Sequence, residues 1–153
     1  MKSGDWSLLF HRCVLEQLER LKAASDKAIA NSPQNALDNA NVKLYAALAK
    51  LMLETIPSDP ARDEYRQGNT MGPEFRHWRR AKIGRRFRLF FRYDSRTKVI
   101  VYAWVNDEKT LRAAGSKNDP YTVFQKMLSR GTPPDDWNKL QSESSPQKLN
   151  RPR

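Results

Sequence analysis

The chain has 153 residues, 39% hydrophobic and 10% aromatic, which is one domain's length with enough apolar content to bury a core rather than stay disordered. Its 28 Lys and Arg against 17 Asp and Glu give a net charge of +11, a field that favours nucleic acid or an acidic protein as partner. An anionic membrane would suit the charge as well, but no apolar run approaches the ~18 residues needed to cross one. No stretch forms a free helix with one apolar and one basic face, and MKSGDWSLLF carries neither a secretory apolar region nor a cleavage site. A cytoplasmic protein is expected. The one cysteine, Cys13, permits no internal disulfide and is expected as a buried thiol. With only His11 and His77 beside it, no Cys/His zinc centre can form. Neither a metal nor another cofactor is expected.

Trp6 to Phe10 reads as a short strand. From Val14 on, Leu15, Leu18, Leu21 and Ile29 fall on one face of a helix running to about Ala30, which Asn31-Ser32-Pro33 ends. A second helix from about Asn35 carries Leu37, Leu44, Leu48, Leu51 and Ile56 on its core stripe, and Ile56-Pro57 closes it. Together they predict an antiparallel helical hairpin. Residues 59–75 are polar, with Gly68, Gly72 and Pro73, and read as a loop. The period then changes to two, placing strands at about 77–83, 86–93 and 98–106 with tight turns between them.

In the middle strand Phe87, Leu89, Phe91 and Tyr93 face one way, and Arg86, Arg88, Phe90 and Arg92 the other. The third strand is apolar on both faces, as a central, covered strand should be. A short helix at about 119–130 buries Tyr121, Phe124 and Leu128, and Trp137 fastens the chain end. From Gln141 the composition predicts a disordered tail, so the chain divides into a 1–140 domain and a 141–153 tail. The fold class is α+β: a helical hairpin packed on an antiparallel sheet, then a short closing helix.

Between Phe75 and Tyr93 stand Arg76, Arg79, Arg80, Lys82, Arg85, Arg86, Arg88 and Arg92, and no acid. A solvated sheet face would explain the alternation. It would not explain the missing counter-charges, because like charges opposite one another destabilise a sheet and structural surfaces mix signs. Arginine forks match phosphate oxygens and stack on bases, so anion binding is the stronger reading. Phe90, on the same face, is either a packed core ring or a stacking platform. Metal-free RNA scission needs the 2′-hydroxyl deprotonated, the phosphorane charge stabilised and the leaving 5′-oxygen protonated. Arginine suits the charge role, and Lys82, crowded by cations, is a candidate proton-transfer group. His77 is either catalytic or a plain surface residue.

The strings W-R-R-A-K-I-G-R-R-F-R-L-F-F-R-Y (78–93) and W-V-N-D-E-K-T-L-R-A-A-G-S-K-N-D-P-Y-T-V-F-Q-K-M-L-S-R-G-T-P-P-D-D-W (104–137) resemble the YhaV toxins of type II toxin–antitoxin pairs, within the RelE superfamily of messenger-RNA interferases. The similarity runs over most of residues 3–137. It implies a RelE/ParE-like fold and metal-independent cleavage of mRNA, usually on the translating ribosome. It also implies a neutralising PrlF-like antitoxin with an AbrB-type DNA-binding hairpin, through which the complex reaches operator DNA.

The resemblance places the catalytic set at Arg80, Lys82, Arg88, Arg112 and Tyr121. Lys82 would accept the proton, and Arg88 with Arg80 would stabilise the phosphate. Arg112 would donate to the leaving oxygen or hold the phosphate, and Tyr121 would stack on a base or orient the 2′-hydroxyl, unless it is a core aromatic. RNA contacts are expected from Arg79, Arg85, Arg86, Arg92 and Lys126, and Arg85 or Arg86 could take the place of Arg88. Two other readings remain: a same-fold toxin acting by binding, such as a gyrase inhibitor, and a basic nucleic-acid-binding protein without catalysis.

Overall fold

The structure, a computed structural model, describes residues 2–107 and 109–147. Its elements in chain order are β1 (Lys2–Ser3), β2 (Trp6–His11), α1 (Arg12–Asn31), α2 (Ala40–Lys50), β3 (Arg79–Ile83), β4 (Phe87–Asp94), β5 (Val99–Val105), α3 (Pro120–Ser129), α4 (Trp137–Ser142) and β6 (Ser144–Ser145). Apolar throughout, β5 is buried at every position and occupies the middle of the sheet order β1-β2-β5-β4-β3, with β6 paired to β2. The sheet is not wholly antiparallel as expected, because β2 runs parallel to β5. Parallel neighbours need a long crossover, and the helical hairpin followed by β3 and β4 supplies it. No helix among the described residues is long and apolar enough to cross a membrane.

Helix α1 starts where His11 caps it, its Nδ1 accepting the Cys13 N–H at 3.1 Å. Cys13 is half-buried, and that burial raises its thiol pKa. The second helix begins later than its apolar spacing predicts. Residues Pro33–Asp38 form a 3-10 turn, and Asn39, extended, caps α2 by accepting the N–H groups of Asn41 and Val42. A side-chain cap at Asn39 outcompetes continuation of the helix. Leu37 therefore sits in the turn, 82% exposed, and Ile29 is 43% exposed at the end of α1; both were expected in the core. Beyond Lys50 a π turn, Leu51–Thr55, leads to the last helical residues Ile56–Ser58. The 59–75 stretch is a loop, with short 3-10 turns at Asp63–Tyr65 and Pro73–Phe75.

Each face of the sheet carries its own core. On one face Leu8, Phe10, Leu89, Phe91, Ile100 and Tyr102 meet the hairpin residues Val14, Leu18, Leu48, Met52 and Ile56. On the other, Phe90, Val101, Ala103 and Trp104 pack against Trp78 and the α3 residues Tyr121, Phe124 and Leu128. The strands shift register where Phe90 pairs with Trp104 but Phe91 with Tyr102. This bulge turns both Ala103 and Trp104 toward α3. Phe90 is fully buried and stacked on Phe124 at 4.4 Å, so it is a core ring and not a platform for bases.

The tail expected from Gln141 begins later. Gln141 and Ser142 complete α4, and Ser144–Ser145 pairs with Phe10 and His11. The apolar anchor is Leu140, fully buried, and the polar one is Glu143, whose Oε1 lies 3.0 Å from Nε2 of buried His11. The remaining tail residues, 148–153, lie outside the described residues. Burial holds the His11 pKa below its usual 6.5, against the opposing pull of Glu143. Glu143 is itself held below the usual carboxylate range by the His11 hydrogen bond.

Leu48→Ala should cost about 2–5 kcal/mol of stability by leaving a core cavity, and Leu37→Ala under about 0.5 kcal/mol; urea denaturation of the two variants checks the contrast. A pH series should also show a weak point at His11. The unfolded chain binds that proton more readily than the folded one, so stability should fall as pH drops below about 6.5. In His11→Gln, melting curves should lose that part of the slope.

Candidate functional site

In β3 and β4, Arg80 stands opposite Phe90 and Lys82 opposite Arg88. Alternation then puts Arg80, Lys82 and Arg88 on the face covered by α3. The start of α3 is fixed over them by Asp119, whose carboxylate accepts the N–H of Tyr121 at 3.1 Å and of Ala113 at 2.8 Å. Tyr121 meets the Phe90 ring edge-on and aims its hydroxyl at the strands. That oxygen accepts Nε–H of Arg80 at 2.8 Å and Nε–H of Arg88 at 3.3 Å. With both lone pairs occupied, the hydroxyl hydrogen is left to point away from the guanidiniums. Arg112 lies over the same ring, its Cζ 4.7 Å from the centroid, and donates to Asp119 at 2.6 Å. Three of the expected catalytic residues, Arg80, Arg88 and Arg112, thus converge on a fourth, Tyr121, and Lys82, exposed, stands beside Arg88 across the strand pair.

The electrostatics are unbalanced. Arg88 is only 6% exposed, yet its contacts are Tyr121 and the Phe87 carbonyl. Among the described residues, none of Arg80, Lys82 and Arg88 has an ion-pair partner. Confining a cation away from water is costly without a compensating charge. The arrangement therefore favours an anion at this place.

A buried amide organises the group. Asn106, 2% exposed at the end of β5, accepts the Arg88 N–H at 2.6 Å and donates to the carbonyls of Arg86 at 2.9 Å and Thr110 at 2.7 Å. It joins the start of β4, the β3–β4 turn and the loop that leads to Arg112, whose own N–H reaches the Arg86 carbonyl. From α1, Gln17 clamps the neighbouring Val105, donating to its carbonyl and accepting its N–H at 3.1 Å. The sequence reading assigned no role to Asn106, Asp119 or Gln17. The signal for the first two was present, since both are polar residues inside the idiosyncratic strings N-D-E-K-T-L-R and D-P-Y-T-V-F.

Several expected RNA contacts are not brought to this group. Arg92 lies between the rings of Trp78 and Trp137, at 5.5 and 5.2 Å, and donates to the Asp135 carbonyl; burial lowers its pKa. Arg79 packs over Tyr93, on the hairpin face. Arg85 and Arg86 are exposed in the turn, so the strand register leaves Arg88 at the centre. Lys126 is exposed on α3. His77 pairs with Asp135, which also accepts from Trp78 Nε1, and belongs to this second cluster.

Fold and site define an α+β protein with a cationic centre built on a sheet face. The family described as a toxin with endonuclease activity, of a toxin-antitoxin system, matches residues 8–145. The chain is 42% identical over 143 residues to the Ribonuclease toxin YhaV of Escherichia coli strain K12, covering 92% of this chain and 93% of the relative. The same figures hold for Toxin YhaV of Escherichia coli O157:H7. No solved structure shows a significant match. The chain belongs to the YhaV family of endonuclease toxins.

Asn106→Ala should lower stability by about 1–3 kcal/mol, because it strands the Arg88 N–H and the Thr110 carbonyl, while the Arg86 carbonyl keeps the Arg112 N–H. Tyr121→Phe, which keeps the ring, should cost less; urea denaturation ranks the two.

Proposed function

We propose that this chain is a ribonuclease toxin that cleaves mRNA without a metal ion, on a RelE-like fold. The observation that carries the reading is the Arg80–Tyr121–Arg88 cluster with Arg112 against it, in which neither Arg80 nor Arg88 has an ion-pair partner among the described residues. Among the described residues, no group of three or more His, Cys, Asp or Glu is placed to hold a metal ion.

In this mechanism the 2′-hydroxyl attacks the adjacent phosphorus and the bond from phosphorus to the 5′-oxygen breaks. The products are a 2′,3′-cyclic phosphate and a 5′-hydroxyl. Lys82, at the open side of Arg88, takes the 2′-hydroxyl proton in its neutral amine form. Arg80, Arg88 and Arg112 stabilise the charge that builds on the non-bridging oxygens. Tyr121 gives its proton to the leaving 5′-oxygen, and the two guanidinium donors already on its oxygen stabilise the charge left there. Solvent then returns the proton from Lys82 to Tyr121.

The toxin acts in the cytoplasm, on mRNA engaged by the ribosome. A PrlF-like, AbrB-type antitoxin neutralises it by covering Arg88 and Arg112 with an acidic or apolar segment. DNA contact comes through that complex alone.

The test is end-labelled mRNA in EDTA, with and without ribosomes, beside an Arg88→Ala/Arg112→Ala variant. Wild type should give discrete fragments ending in cyclic phosphate, and the variant should be slower by at least about 100-fold. Intact RNA from a protein that still arrests growth would instead indicate inhibition by binding, with gyrase the next target.

A further inference from the structure

A cavity of about 450 Å³ lies along the outer edge of β3, within the range of ligand-binding clefts. Arg80 and Lys82 form one wall, and the turn carrying Asp63, Glu64 and Arg66 forms the other. Arg80 separates this cleft from the site described above. Its Nε holds the Tyr121 hydroxyl while its Nη1 holds the Glu64 carbonyl. The turn is anchored from beneath by Tyr65, 4% exposed and edge-on to Phe91 at 5.4 Å, and Arg66 bridges to Arg79. The cleft is therefore built in advance.

Its charge pattern differs from that of the site. The carboxylates of Asp63 and Glu64, 94% and 64% exposed, pair only loosely with Arg66 at 3.7 Å and Arg62 at 3.4 Å. Such surface pairs are worth little and exchange partners readily. The lining sets two carboxylates against Arg66, Arg80 and Lys82, so a phosphate would find acids as well as cations there. A nucleobase carrying an amino group uses both, because carboxylates accept its N–H groups while the cationic wall takes its ring and carbonyl acceptors.

We propose that this cleft is a base-recognition subsite of the RNA site. It seats the base next to the phosphate held by Arg80 and Arg88, and favours adenine, cytosine or guanine over uracil. The inference rests on the ribonuclease reading for its ligand, but binding alone can test it. Fluorescein-labelled 2′-O-methyl hexanucleotides, uracil throughout except for one varied central base, lack the attacking hydroxyl and cannot be cut. Anisotropy titrations at fixed salt should show wild type preferring an amino-bearing central base by roughly five- to tenfold.

In Asp63→Asn/Glu64→Gln that preference should shrink to within about twofold, while affinity for the all-uracil oligomer stays level or rises as negative charge is lost. Thr55→Tyr, which fills the cleft without changing charge, should erase the preference too. Equal affinity for all four bases in wild type, or an unchanged preference in both variants, overturns the subsite. Base-selective binding with no cleavage of natural RNA would remove the ribonuclease reading and leave the subsite standing. Cleavage with no base selectivity would do the reverse.

Discussion

The constraint on which this structure turns is one phenol oxygen shared by two guanidiniums of like charge. Arg80 and Arg88 would separate if nothing held them, since like charges in a sheet repel. The Tyr121 hydroxyl gives both a common acceptor. Its position depends on α3 starting where it does, and that depends on the Asp119 cap. The Asp119 carboxylate also takes Arg112, so one acid orients the helix and positions the third arginine. It neutralises charge at the rim and none at the centre.

Beneath this arrangement the packing is stiff. Trp104, Phe124 and Phe90 form a stack, with Trp78 edge-on to Phe124. The β5 bulge supplies that stack by turning Trp104 onto the α3 face. Asn106 then closes the open end of the sheet with its amide fully used by main chain from three segments. A fully satisfied buried amide specifies one arrangement, because any other leaves unpaired groups away from water.

Two arginines on one strand face show how context divides a basic motif. Arg88 and Arg92 are separated by roughly 13 Å along β4. Arg92 is enclosed by Trp78, Trp137 and the Asp135 carbonyl, where it fastens the chain end. Arg88 meets a phenol and a carbonyl, and is left with charge to spare. Their sequence surroundings, F-R-L and F-R-Y, are nearly the same.

The sequence by itself determined the α+β class, the helical hairpin, the three later strands and the β4 face that carries Arg88, because side-chain period is a local property. The resemblance of residues 78–93 and 104–137 to YhaV toxins brought Arg112 and Tyr121 to the same site. What the sequence left undecided were competitions settled between distant segments. Leu37 fits a core stripe but lies in the turn, because the Asn39 cap outweighs its spacing, and Ile29 is left exposed at the end of α1. The parallel β2–β5 seam, the bulge at Ala103, and the bonds of Gln17 to Val105 and of Asn106 to Arg88 join residues far apart in the chain. Period and composition record what each residue prefers. Only tertiary packing decides which partner is within reach to satisfy it.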